Sequence, residues 1–148
     1  MTDENKPGLV EGEGIVPSNS DYLLTLLVQM VNASSMEIGI TLFVQGSIVT
    51  GLLIRGETYF EGFKSEIALS SASDNIKEVF QTIFDRLQSI CTNLPENEEQ
   101  ESQFRNVEFI HLKNAKFFAG GSLIPTNRAV YWRGRLSSID GFSLGNLS

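Results

Sequence analysis

The chain has 148 residues, 41% hydrophobic and 20% charged, with 11 Lys/Arg against 18 Asp/Glu and a formal net charge of −7. That length suits one domain with a substantial core, and the acidity excludes general nucleic-acid affinity, which needs a strongly basic surface. No apolar run reaches the ~18 residues of a membrane span, and the single cysteine, Cys91, excludes an internal disulfide.

Residues 1–104 hold five Lys/Arg and 16 Asp/Glu, a net −11, whereas residues 105–148 hold six and two, a net +4. The basic last third leaves room for a local anionic partner. The plainer explanation is that the two parts neutralise each other, within one fold or between subunits.

Residues 1–17 carry Asp3, Glu4, Glu11 and Glu13 with Pro7 and Pro17. They bury too little to offset their ordering entropy, which predicts a mobile acidic tail ahead of a single α+β domain over 18–148. The same segment lacks the basic start and apolar stretch of a secretory signal, so the expected location is cytoplasmic. Ser18 is a candidate helix cap with Asp21 three positions on. The helix that follows carries Leu23, Leu24, Leu26, Leu27, Val28, Met30 and Val31. It is apolar over most of its circumference, which predicts cover on more than one side, a partner subunit being one candidate cover.

The period then changes to two. Met36, Ile38, Ile40, Leu42 and Val44 alternate with their neighbours as in a half-buried strand, Gln45-Gly46-Ser47 is a turn, and IVTGLLIR at 48–55 returns as a second strand. In ETYFEGFKSEIALSS, residues 57–71, a short helix is weakened by Gly62. In the next segment Ile76, Val79, Phe80, Ile83, Phe84, Leu87, Ile90 and Cys91 keep helical spacing behind a cap at Ser73 or Asp74. This amphipathic helix is expected to pack on a sheet, with Cys91 as a core thiol. Residues 93–104, with Glu96, Glu98, Glu99 and Glu101, form an acidic, solvated loop.

Strands resume at 106–118, NVEFIHLKNAKFF, and at 129–136, AVYWRGRL, with AGGSLIPTN between them as a flexible loop and FSLG as a short final strand. The expected class is α+β: an antiparallel sheet of about four to five strands built from two hairpins. An N-terminal helix and an amphipathic helix between the hairpins pack with it.

Catalytic, cofactor and metal candidates are weak. His111 is the only histidine and reads as a hydrogen-bonded strand residue. No Cys or His neighbours suggest a zinc site. Gly120-Gly121-Ser122 lacks the spacing and lysine of a phosphate loop. Glu57 and Glu61 read as a wet helix face. The expectation is therefore a non-enzyme with no catalytic residues, no cofactor and no metal.

The remaining candidate is WRGR. Alternation sets Tyr131, Arg133 and Arg135 on one strand face and Val130, Trp132 and Leu136 on the other. Trp132 is expected in the core, and the arginines, with Tyr131 and Lys113, are the candidate partner-binding residues. Gly134 weakens the strand unless something approaches its backbone closely or the sheet bends there. Asp140-Gly141 supplies turn chemistry, with Phe142 and Leu144 anchoring the chain end.

FIHLKNAKFF at 109–118 followed by YWRGRLSSIDGFSLG at 131–145 resembles the C-terminal signature of the gas vesicle accessory protein U (GvpU) family. The matching residues are Phe109 to Asn114, Trp132-Arg133-Gly134, Asp140-Gly141-Phe142 and Leu144-Gly145, and the hairpin ITLFVQGSIVTGLLI with Tyr59-Phe60 is similar to the family's N-terminal part. The resemblance implies a cytoplasmic, non-enzymatic accessory protein that contacts gas vesicle proteins in vesicle assembly or clustering; the arginine strand and the apolar first helix add the expectation of a homo-oligomer. The alternative is an Sm-like small-barrel RNA-binding protein, to which the helix, the strands and FIHLKN are distantly similar. The net charge of −7 and the helical insertion oppose it.

Overall fold

The computed structural model of the protein describes residues 19–92 and 107–148, the side chains of 89–92 apart. The predicted tail at 1–17, the Ser18 cap, the Cys91 thiol and the acidic loop at 93–104 lie outside the described residues.

The class is α+β, with three α-helices and a six-stranded antiparallel sheet among the described residues. Helix α1 (Tyr22–Asn32) begins at Asp21, whose carboxylate accepts from the amides of Leu23 at 2.8 Å and Leu24 at 3.2 Å. Asp21 is thus itself the cap, satisfying donors that the first turn leaves free. Strands β1 (Ile38–Val44) and β2 (Ser47–Ile54) form the predicted hairpin, closed by Gln45 and Gly46 at φ 49° and 84°. Two consecutive positive φ values make the two-residue turn whose twist suits antiparallel strands.

Two helices follow, α2 (Gly56–Leu69) and α3 (Asp74–Thr92). Gly62 does not weaken α2 enough to break it, because the helix buries Tyr59 and Phe60 and packing outweighs propensity. The expectation that α3 packs on the sheet is overturned: α3 lies beside α2. Phe84 packs tilted against Phe63 at 4.7 Å between centroids, and Lys64 bridges Asp85 at 2.7 Å.

The second half is more than a hairpin, so the sheet has six strands where four to five were expected. β3 (Phe109–Ala119) pairs with β2 along one edge, while its other edge is shared by two short strands. β4 (Ser122–Ile124) pairs with the end of β3 and β5 (Trp132–Arg135) with its beginning. The expected loop AGGSLIPTN is thus a two-residue turn at Gly120-Gly121, with φ 59° and 83°, followed by β4. Pro125, which has no N–H for a ladder, follows directly. A 3-10 turn (Leu136–Ser138) then carries the chain to β6 (Gly141–Leu144), which pairs with β1 at the far side. The order is β4/β5-β3-β2-β1-β6.

β5 and β6 lie on opposite edges, yet only residues 136–140 join them. Three of the five are in a 3-10 turn that rises only ~2 Å per residue, so the six steps from Arg135 to Gly141 reach ~17 Å, short of the ~19 Å across four strand spacings of a flat sheet. The sheet therefore curls. Its concave side holds the core: Leu24, Val28 and Val31 of α1 meet Ile40, Leu42, Val49, Leu53, Ile110, Leu112, Leu136 and Ile139. The cover expected all round α1 is present on this side, whereas Tyr22, Leu23 and Met30 are exposed.

Trp132 is half-buried against this core, as expected. Its indole also explains Gly134, because a Cβ there would come within 2.2 Å of Cη2 of Trp132. Gly134→Ala is accordingly expected to destabilise the protein by about 1–3 kcal/mol through overpacking, read from urea unfolding followed by circular dichroism. In a Trp132→Ala background the same substitution should cost little.

Candidate functional site

The register of β3 and β5 sets Arg135 opposite Phe109 and Arg133 opposite His111. Cross-strand partners project to the same side of a sheet, so Tyr131, Arg133, Arg135 and Lys113 share the convex face, away from the α1 core. All four candidate residues are brought together, but they are not equally free. Arg133 and Arg135 are exposed, whereas Tyr131 and Lys113 are partly buried. Lys113 is ion-paired with Glu37 of the segment before β1.

Helix α2 explains the difference, since it lies over one end of this convex face. Tyr59, Phe60 and Ile54 form a second small core, with Phe63, Phe84 and Tyr131 packed on it. Tyr131 approaches Tyr59 edge-on at 6.3 Å and sits over Gly62, where a Cβ would come within 2.2 Å of its ring. The glycine that looked like a flaw in α2 is the slot for Tyr131. Arg133 lies over the Phe109 ring, 3.9 Å from its centroid, and 5.6 Å from that of Phe60. Such cation–π contact fixes the guanidinium plane without neutralising it. Among the described residues neither Arg133 nor Arg135 has a carboxylate partner.

His111 sits beneath this lid, 7% exposed, against Tyr59 at 4.7 Å and Phe60 at 6.1 Å between centroids. It is not the hydrogen-bonded strand histidine that the sequence suggested, because its buried Nε2 has no hydrogen-bond partner. Burial first, and the Arg133 charge second, lower its pKa to about 4. Burial likewise raises the Tyr59 pKa, with Arg133 acting in the opposite direction. The imidazole is therefore lined by the aromatic rings of α2, and sequence pattern alone could not show which helix would cover it.

The other end of the convex face is closed by the chain's last residues. Thr41 Oγ1 donates to the Gly145 carbonyl at 2.8 Å, and the Leu147 amide donates to Thr50 Oγ1 at 2.8 Å. Of the two expected anchors, Phe142 packs on the core but Leu144 is exposed. Asp140 does more than make a turn: its amide donates to the Phe43 carbonyl at 2.8 Å, and its carboxylate accepts from the Gln45 amide at 2.7 Å. The exposed convex surface is thus an arginine strand framed by α2 and by the β1–β2 hairpin.

Among the described residues no group of three or more His, Cys, Asp or Glu side chains is placed to hold a metal ion, and no helix is long and apolar enough to cross a membrane. A family model described as gas vesicle protein GvpU-like matches residues 21–147. No curated protein and no solved structure matches the chain.

Two measurements probe this site. Gly62→Ala should destabilise the wild type yet stabilise a Tyr131→Ala variant by up to ~1 kcal/mol, the ordinary helix gain over glycine, in paired thermal melts. For His111 the folded pKa lies below the unfolded 6.5. The unfolded chain therefore takes up the proton first as pH falls, and stability drops between pH 6.5 and 4 by about 3 kcal/mol. His111→Gln should flatten that part of the stability–pH curve, and an unchanged slope would refute the assignment.

Proposed function

The chain belongs to the GvpU-like family of gas vesicle proteins, and on that footing we propose that it is a non-enzymatic accessory protein of the cytoplasm. It works as a homo-oligomer that contacts gas vesicle proteins during vesicle assembly or clustering. The observation that supports a binding rather than a catalytic role is the exposed pair Arg133 and Arg135, which is held in place by the β3 register and the Phe109 ring and has no carboxylate partner among the described residues. Guanidinium groups fixed in this way suit carboxylates on a partner surface. Tyr131 and Lys113 support the patch from within, one packed under α2 and the other tied to Glu37.

The single α+β domain over 18–148 and the acidic tail before it belong to the same reading. The RNA-binding alternative has no supporting observation: a curled sheet with a leading helix is a matter of fold, and fold does not carry function.

The test is co-flotation with isolated gas vesicles. The wild-type chain should float with the vesicles, and Arg133→Glu with Arg135→Glu should reduce the bound fraction at least tenfold while circular dichroism stays unchanged. Rising salt should weaken the wild-type attachment, as for exposed charges. Unchanged attachment of the double variant refutes the arginine patch.

A further inference from the structure

Helix α3 turns its apolar side to solvent. Ile76, Val79, Phe80, Ile83 and Leu87 are each between 39% and 58% exposed, although they follow the strongest helical period in the chain. The residues that touch α2 lie elsewhere on the helix. Phe84 packs tilted against Phe63, Asp85 and Gln88 bind Lys64, and the Lys77 ammonium donates to the Ala68 carbonyl. At about 100° per residue the stripe is centred roughly 120° round the helix from these contacts. One apolar side is therefore left uncovered by the described residues.

We propose that this stripe is the interface with a second copy of the chain, the two α3 helices packing antiparallel about a two-fold axis. Four of its members, Ile76, Phe80, Ile83 and Leu87, are spaced by four, three and four residues. That order is the same in both directions. A two-fold axis midway along the stripe sets Ile76 against the second copy's Leu87 and Phe80 against its Ile83. Such self-complementarity is what an isologous contact requires, and the stripe is roughly 16 Å long at the helical rise.

Charge points to the same occupant. The three carboxylates of α3, Asp74, Glu78 and Asp85, all lie opposite the stripe. A chain with net charge −7 can thus meet its copy there without apposing acidic groups. The stripe exposes on the order of 400 Å², within the range that marks interaction sites on soluble proteins. The chain's own segments outside the described residues are poor substitutes. Residues 1–18 and 93–106 carry no apolar run at helical spacing and place glutamates among their few large apolar residues.

This inference specifies the self-association within the proposed function, and its test is separate from vesicle binding. In sedimentation velocity at about 10–100 µM, the micromolar range expected for an interface near the small end of its class, the full chain should run as a dimer. Ile83→Glu should run as a monomer with unchanged circular dichroism. In a Cys91→Ser background, mixing Phe80→Cys with Ile83→Cys chains under oxidation should give a disulfide-linked dimer, while Ile76→Cys alone should not cross-link. The cross-link pattern decides the matter even if Ile83→Glu unfolds. A monomeric wild type, an Ile83→Glu variant that remains dimeric, or equal cross-linking through Ile76→Cys overturns the proposal. A monomeric Ile83→Glu variant that still floats with vesicles supports this interface and leaves the arginine patch standing, whereas a wild type that remains monomeric yet attaches to vesicles refutes the interface alone.

Discussion

The rest of the structure depends on the five residues that carry the chain from β5 on one edge of the sheet to β6 on the other. They force the sheet to curl, and their side chains make the curl favourable. Leu136 and Ile139 turn into the concave side and are buried there. At the two ends of the bridge the backbone is tied down: the Leu136 amide donates to the Glu108 carbonyl at 2.9 Å and the Asp140 amide to Phe43. Both groups that a bend would otherwise leave unpaired thus have partners, which is the condition for burying such a segment at all. Because the Asp140 carboxylate also holds the Gln45 amide, the β1–β2 turn and the closing bridge are fixed by one side chain.

The curl decides which surfaces remain free. The concave side takes α1, and α2 packs on the convex side with α3 beside it. There α2 meets only the end of the sheet, where His111, Ile54 and Tyr131 supply an apolar patch. α3 is then a second layer that rests chiefly on α2. An amphipathic helix in that position engages α2 through Lys64, and none of the described residues covers its apolar stripe. The exposure is a consequence of topology and does not reflect a weak hydrophobic pattern.

Much of this was legible in the sequence where the signal was local. The hairpin at Gln45-Gly46, the α3 period and the inward turn of Trp132 followed from alternation, glycine chemistry and helical spacing. Gly134 was readable as a demand for close approach, though not that the demand came from the neighbouring indole. What stayed hidden is non-local. No periodicity shows that β4 and β5 share one edge of β3, because each is too short to carry a pattern. Nor can it show whether an apolar helical face meets a sheet, another helix or solvent, which is how α3 came to be expected on the sheet. Asp21 and Ser18 were both chemically able to cap α1, and only the position of the first turn distinguishes them. The family resemblance, resting on FIHLKN and WRG and spanning residues 38–145, pointed to the same family as the match over 21–147, which also takes in α1.

The two free surfaces differ in chemistry, and that difference suits the proposed role. The arginine strand is charged, salt-sensitive and fixed to the rigid sheet, where an aromatic ring limits the motion of Arg133. The α3 stripe is apolar and lies one layer further out. A contact through α3 would therefore leave Arg133 and Arg135 of each copy uncovered by the contact itself, and a dimer would carry two such strands. Bivalence of this kind raises attachment without any new contact at the individual site, because the second binding event is intramolecular. It also permits one dimer to hold two vesicles instead of one. Which of these prevails depends on whether a single vesicle surface can engage both strands at once, so the angle that the antiparallel α3 pair imposes between the two sheets would separate a role in assembly on one vesicle from a role in clustering several.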